Sequence, residues 1–456
     1  MVWLDAVTPA HAYSVGPKMA SLAEVRQAVG SEALVGARVP DGFVVAREIG
    51  DELLADLRPV LRELLRGVAQ GERSVHDAGH MARELILGLH VTQELHDDIG
   101  RALDRMEQAV RAPEDQLLLA VRSSAAAEDL PGASFAGQYD SHLGVHGVEQ
   151  VLDTYLAVLA SLYTDRAISY RSSRRRTGAL GADESMAVGV QQLVRADLGG
   201  RAGVMMTRDP DAADHRTAPV LIEVVQGLGD RLVSGTVDPE RYLVDRDSDG
   251  SDSAGSDSAV RSTRRLGSDD APLLDDGQVA DLVRVGLALE RRAGRPLDVE
   301  WAIDGPTRDL FVVQSRPITA SSGITASART TAETAVTTVA AGPGRRRLTS
   351  GAAIGHGHVT APLCVLRHPL EDEAFVDGAI LVTATTDPSW THLMQRCSAI
   401  VTDQGGRTSH AAIVARELGL LAVLGCQDAT TVLAGVATAT VVCDGDGSGV
   451  VLATPW

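Results

Sequence analysis

Thr402-Asp403-Gln404-Gly405-Gly406-Arg407-Thr408-Ser409-His410-Ala411-Ala412-Ile413 is the stretch that decides how the C-terminal part of this chain is read. The apolar, β-branched run that opens it, Ala-Ile-Val-Thr at 399–402, predicts a strand. Two glycines break that strand. Thr408 or Ser409 then offers a hydroxyl N-cap to a helix, and Gly419 a C-terminal stop. His410 therefore falls in the first turn of a helix, where unpaired backbone N–H groups and the helix dipole favour an anion. A phosphorylated imidazole is such an anion, and the glycines let a phosphate of another molecule come close to the backbone. The bland alternative is a histidine that packs at a helix start. The glycines, the small alanines and the N-terminal position together favour the anion reading.

Outward from this stretch, strands are expected at 379–382, 399–402 and 436–443, which makes the C-terminal part α/β. Upstream, 319–347 is rich in Ala, Thr, Ser and Gly without apolar periodicity and reads as a linker. Residues 245–270 are rich in Ser, Asp and Gly and read as a surface loop or a disordered insertion. A calcium loop there would lack its bidentate Glu at the twelfth position. The part before the linker mixes helical spacing at 49–69 and 148–171 with short β-branched runs at 187–190, 220–225 and 310–313.

Composition narrows the function. The chain has 456 residues and a formal net charge of −19, from 61 acidic and 42 basic side chains. That balance argues against sequence-independent binding to nucleic acid or to an anionic membrane. Aromatic residues make up only 3% of the chain, so base-stacking platforms are not expected and cores must be aliphatic. No run of 18 apolar residues suggests a transmembrane helix, and the N-terminus does not read as a signal peptide. Cys364, Cys397, Cys426 and Cys443 form no CxxC pair, so neither zinc nor a disulfide framework is suggested. A cytoplasmic location is expected. Asparagine is absent and Lys18 is the one lysine of the 42 basic residues, as a GC-rich genome would produce. A lysine that survives such a bias suggests a place where a slim point charge is needed and an arginine fork is not.

The segment TDPSWTHLMQRCSAIVTDQGGRTSHAAIVARELGLLAVLG (386–425) closely resembles the swivelling phosphohistidine domain of the PEP synthase and pyruvate phosphate dikinase family. In that family the histidine matching His410 carries a phosphoryl group from ATP to an acceptor. The resemblance extends upstream. VGPKMASLAEV (15–25) with VPDGFVV (39–45) is similar to the family's opening G-G-K-G-A-S-L and V-P-P-G-F, which gives Lys18 an ATP-phosphate contact; Pro17 and Met19 replace two glycines there. VRSSAAAEDLPGASFAGQYDSHL (121–143) resembles V-R-S-S-A-x-x-E-D-x-x-x-x-S-F-A-G-Q-x-x-T. The match implies that Arg122 is the cation on the transferred phosphate, that Gly137 lets a loop lie over the phosphates, and that Ser141 takes the place of a phosphate-contacting Thr. An Arg that ends an apolar strand beside small hydroxyl residues agrees with phosphate recognition.

The segment 188–210 resembles the family's adenine-holding strand and hinge. This implies that backbone groups of Gln191, Gln192, Leu193 and Val194 read the adenine edge and that apolar side chains enclose the ring. DVEWAIDGPTRDLFVVQSRPIT (298–319) resembles D-x-E-W-A … L-x-x-L-Q-x-R-P. Glu300 and Gln314 would fall on two strands of a hairpin and hold Mg²⁺ against the triphosphate, with Arg316 on phosphates. Hard oxygen ligands are what Mg²⁺ prefers.

The resemblance implies an α/β (α+β) architecture: an ATP-grasp domain of two subdomains, 1–190 and 191–318, a flexible linker, 319–347, and a β/β/α swivelling phosphohistidine domain, 348–456. In the family a pyruvate-binding barrel usually follows. The sequence stops soon after the histidine domain, so a two-domain form without that barrel is expected. The expected activity is ATP- and Mg²⁺-dependent phosphotransfer through His410 to a small-molecule acceptor, with AMP and phosphate released. N-phosphorylation in specialised metabolism is the favoured form, because two-domain relatives phosphorylate nitrogen. The alternatives are the catalytic half of a split PEP synthase-like enzyme, with the acceptor domain on a partner chain, and a non-catalytic phosphocarrier.

Overall fold

The computed structural model describes all residues except 30–35, 111–116, 126–128, 131–132, 135–138, 140, 169–185, 211, 213–216, 234–236, 238, 247–261, 267–270, 319–345, 370–373, 408, 445–446 and 455–456. Of the linker expected at 319–347, residues 319–345 lie outside the described residues, as does most of the 245–270 stretch, while Arg347 already belongs to a strand. The chain divides into two compact units. The first comprises residues 1–130, 135–200 and 300–316; the second comprises 131–134, 201–299 and 317–456.

The first unit is built on a five-stranded sheet in the order Val2–Trp3, Gly42–Val45, Met186–Gln192, Leu119–Ala125, Ser141–Val145, with every neighbouring pair antiparallel. Side chains alternate across the sheet, and the two faces do different jobs. One face carries Phe43, Val45, Leu119, Val121, Val188 and Val190. They pack against the helices Arg58–Ala69, Val75–Leu87, Gln93–Val110 and Gly147–Ala160 in one aliphatic core. The opposite face carries Arg122, Ser124 and Gly189. It is covered by the helix Ala12–Ala28.

Periodicity at 49–69 suggested one helix, and the structure has two, Arg47–Leu53 and Arg58–Ala69. The break precedes Pro59, whose ring fits the first turn of a helix and not its interior. The pattern at 148–171 resolves into the helix Gly147–Ala160, a short 3-10 turn, Ser161–Tyr163, and a further helical stretch at 165–168, with 169–171 outside the described residues.

The second unit contains a sheet and a barrel. Its sheet runs Thr263–Leu266, Glu240–Val244, Val220–Gln226, Arg201–Met206, antiparallel throughout. The Thr263–Leu266 strand corrects the reading of 245–270 as loop or disordered insertion to its end. Charged Arg264 and Arg265 suit a sheet edge, and Arg265 pairs with Glu240 at 2.6 Å. The long helix Asp276–Ala293 opens with an Asp275/Gln278 capping box and ends on left-handed Gly294.

The barrel closes in the order Arg347–Ile354, Leu421–Leu424, Ala399–Thr402, Ile380–Thr383, Gly357–Val365, Thr438–Cys443, Ser448–Ala453. Its central strands are parallel and fully buried, which explains their unbroken apolar runs. Alternate side chains serve two cores. Ile380, Val382, Ala399, Val401 and Val423 fill the barrel with Val441 and Val451. Leu381, Ile400 and Leu424 face outward to Trp390, Leu393, Met394 and the helix His410–Leu418.

Candidate active site

In the first unit, three sequence-distant segments converge on the sheet face covered by Ala12–Ala28. That helix carries a break at Gly16, whose φ is +72° and is followed by Pro17. A Cβ on Gly16 would lie 2.1 Å from the Ser124 carbonyl oxygen, so both the conformation and the space require glycine. The Met19 amide then donates to Ser124 Oγ at 3.3 Å, and Met19 fills the space above Gly189. Met19 is thus buried packing, where the family pattern has a glycine. Lys18, half-buried, lies in the chain between these two anchors.

Arg122 extends from the same face. Its Nη2 donates to Glu300 Oε2 at 2.9 Å and its Nη1 to the Val313 carbonyl at 2.9 Å. One guanidinium therefore ties the strand Leu119–Ala125 to both Leu297–Ile303 and Leu310–Pro317, and places Glu300 beside the segment that holds Gln314. The turn between the last two strands is closed by the Asp304 amide donating to the Asp309 carbonyl at 3.0 Å. Gln314 is buried and Arg316 half-buried. Ser21 of the Lys18 helix donates to the Ser315 carbonyl at 2.7 Å, which fixes the third side of the cradle. Ser141 stands directly opposite Arg122 on the neighbouring strand, so the two share a face. Gly137 lies outside the described residues.

The adenine segment is more occupied than the sequence suggested. The Gln192 amide donates to the Asp41 carbonyl and the Leu193 amide to the Leu118 carbonyl, both at 2.8 Å. Those two N–H groups belong to the fold and are not spare for a purine edge. Gln191, Leu193 and Val194 are buried, and the Gln191 Nε2 has no partner among the described residues. The following turn is pinned by the Arg195 amide donating to Asp304 Oδ1 at 3.0 Å.

Mg²⁺ fits this cradle as a shared ion. Glu300 and Gln314 offer one carboxylate and one amide oxygen, both hard donors. Among the described residues, no group of three or more His, Cys, Asp or Glu could hold a metal, so phosphate oxygens would have to complete its coordination.

His410 is in the second unit. It is 8% exposed at the first position of the helix His410–Leu418. Gly419 ends that helix in the left-handed conformation, as read from sequence. The cap differs from expectation: Ser409 occupies the N-cap position, but its hydroxyl donates back to the Gly406 carbonyl at 2.8 Å. Thr408 lies outside the described residues. Ser409 Oγ thus braces the loop and is not spent on the helix amides. Gly405, with φ of +106°, supplies the bend that its positive φ reserves for glycine.

The His410 Nδ1 lies 3.0 Å from the hydroxyl of Thr386, which is also buried. Sequence reasoning missed Thr386, although it opens the quoted 386–425 segment. Its 24-residue separation from His410 gives no local pattern, and only the parallel barrel strands bring the two together. The helix also lies against the short strand Ala133–Ser134, which belongs to the segment between Arg122 and Ser141. Among the described residues, no helix is long and apolar enough to cross a membrane.

Comparison with known proteins matches this geometry to a family. Residues 12–336 match the pyruvate phosphate dikinase AMP/ATP-binding domain, and residues 375–447 the PEP-utilising enzyme mobile domain. The phosphoenolpyruvate synthase of Aquifex aeolicus is 36% identical over 457 residues, 94% of this chain and 52% of that protein. That of Escherichia coli is 34% identical over 460 residues, 95% of this chain and 55% of that protein. The probable phosphoenolpyruvate synthase of Methanothermobacter thermautotrophicus is 35% identical over 436 residues, 92% of this chain and 58% of that protein. The chain thus spans about half the length of the curated relatives it matches. With an ATP/AMP-binding domain and a mobile domain in family order, it belongs to the PEP synthase and pyruvate phosphate dikinase family of kinase- and dikinase-type phosphotransferases.

Proposed function

We propose that this chain uses ATP to phosphorylate His410 and passes that phosphoryl group to a small-molecule acceptor. The observation that carries the reading is the 3.0 Å contact between Thr386 Oγ1 and His410 Nδ1. In the tautomer in which Nδ1–H donates to Thr386, Nε2 holds the lone pair and is the nucleophile. Nε2 attacks the β-phosphorus of ATP. The bond from that phosphorus to the α–β bridging oxygen breaks, AMP departs, and hydrolysis of the β–γ link releases phosphate. Lys18, Arg122 and Arg316 bind and orient the triphosphate and offset charge on the transferred group. Glu300 and Gln314 would hold Mg²⁺, which neutralises phosphate charge when bound. Glu300 also orients Arg122 through their ion pair.

The acceptor is a small molecule, and a nitrogen nucleophile giving a phosphoramidate is the favoured form. A second reading is supported by the names of the relatives and by the share of them that this chain spans: the acceptor is pyruvate, bound by a region outside this sequence or by a partner chain. One assay separates them. The purified chain is incubated with ATP, Mg²⁺ and panels of amines, amides or pyruvate, and AMP and phosphorylated products are quantified. Acceptor-dependent AMP release with a nitrogen compound supports the first form. Labelling of His410 with no product from any acceptor on the chain alone, and phosphoenolpyruvate formed from pyruvate only when a partner carrying the acceptor site is added, supports the second. Release of ADP as the nucleotide product, with no phosphohistidine, overturns both.

A further inference from the structure

Within the second unit, a cleft of about 310 Å³ opens beside the end of the helix Asp276–Ala293. It is lined by Arg208, Arg246, Glu290, Arg291 and the turn Gly294–Pro296. The chain as a whole carries a net charge of −19, and this cleft reverses the sign. Four guanidiniums, Arg295 of the turn included, stand round one carboxylate. They come from residues 208 to 295, so the fold gathers them and no local basic run does.

The inner wall is preset. Arg246, just past the strand Glu240–Val244, grips Glu290 with both ends of its fork, Nη1 to Oε2 at 3.1 Å and Nη2 to Oε1 at 3.0 Å. Its Nη1 also donates to the Thr207 carbonyl at 2.9 Å. Arg208, just past the strand Arg201–Met206, donates from Nε to the same Glu290 Oε1 at 3.0 Å. Glu290 is buried, so one carboxylate orients two guanidiniums and neutralises only one. The outer wall is looser. Left-handed Gly294 reverses the chain after the helix and brings Arg295 to the cleft that Arg291 lines. Both are exposed and have no ion-pair partner among the described residues.

Cations in the last turn of a helix complement its dipole, which accounts for Arg291 and its neighbour Arg292. It does not account for Arg208 and Arg246, which come from the sheet, or for Arg295 beyond the cap. The helix end carries roughly half a negative charge, which opposes an anion. Four guanidiniums against one carboxylate outweigh it. Guanidinium forks match phosphate oxygens in geometry and charge. The volume lies at the lower end of the range for small-molecule pockets, about 300–1,000 Å³. We propose that this cleft binds a small phosphate-bearing anion, with Arg208 and Arg246 as the fixed floor and Arg291 and Arg295 closing on the phosphate. The site shares no residue with the cradle of Lys18, Arg122 and Arg316, and it does not depend on the phosphohistidine reading.

The test modifies arginines of the full chain with phenylglyoxal and maps them by mass spectrometry, with pyrophosphate, inorganic phosphate or AMP added. Pyrophosphate is expected to slow modification of Arg291 and Arg295 severalfold. Arg292, also exposed but outside the lining, is expected to react at an unchanged rate. In R208A, which leaves Arg246 on Glu290, half-protection should need roughly tenfold more pyrophosphate, the worth of one charge-assisted contact. R208K should recover part of that loss. Protection by AMP at lower concentration than by inorganic phosphate assigns the site to a nucleotide phosphate; the reverse order assigns it to the free ion. Three results overturn the proposal: no protection by any of the three anions, equal protection of Arg292, or an R208A variant that unfolds at lower temperature yet is protected like wild type. The last is what a purely structural cluster predicts.

Discussion

His410 and Thr386 show how much of the chemistry rests on one hydrogen bond. The Thr386 hydroxyl fixes the imidazole's orientation and tautomer, so Thr386→Val should slow phosphohistidine formation about tenfold, the worth of one buried hydrogen bond. Thr386→Ser should recover most of the rate, since it keeps the hydroxyl. Arg122 combines two roles. Truncation to Ala removes a phosphate-binding cation and leaves Glu300 unpaired in a site where the two side chains are 19% and 16% exposed. The expected loss in phosphotransfer rate is about 10²- to 10³-fold, measured by AMP release. The cysteines are predicted to be quiet. Burial pushes the Cys397 and Cys426 thiols up to about 12, and Cys443 is buried too. A thiol reagent at pH 8 should label only half-buried Cys364 in the native protein. Rapid native labelling of Cys397 would contradict the packing described.

At the scale of elements, the sequence was most legible where pattern and chemistry coincide. The parallel barrel strands announce themselves as apolar runs, and the glycines around His410 and Gly419 mark its helix. Less legible were features set by partners far away in sequence. Pro59 divides a periodic stretch that reads as one helix, and Thr263–Leu266 is a strand only because Glu240–Val244 offers it an edge. At Gln192 and Leu193 the resemblance pointed to nucleotide contacts, yet the sheet consumes their amides. Met19, a departure from the family's glycine, became legible only once Gly189 was seen beneath it. Gly16 gives the element-scale prediction. Gly16→Ala forces a positive φ on alanine and drives its methyl into the Ser124 carbonyl, so stability should fall by about 2 kcal/mol or more, seen as a lowered midpoint in urea unfolding. ATP affinity should fall with it, because the Lys18 turn is displaced.

For the whole molecule, the family resemblance conveyed the order of domains, and the structure adds which groups hold each unit together. One of them makes stability pH-dependent. Burial alone would raise the Glu290 carboxyl, but Arg246, Thr207 and Arg208 outweigh it and hold it below the ordinary range. A carboxyl depressed in the folded state adds stability above its unfolded pKa, and that stability drains away as pH falls through the folded value. Thermal unfolding between pH 6 and pH 3 should therefore show a steeper acid loss for wild type than for Glu290→Gln, which is less stable at pH 7 but flatter. Equal slopes would contradict the assignment. The most direct test of the central claim follows the two outer phosphates of ATP separately. The chain is incubated with Mg²⁺ and ATP labelled at either the β- or the γ-phosphate, quenched in alkali, and mapped by mass spectrometry. The account predicts base-stable, acid-labile β-label on His410, no retained γ-label, and no label in His410→Ala. Label that persists in His410→Ala, or γ-label retained on His410 with ADP as product, would contradict it.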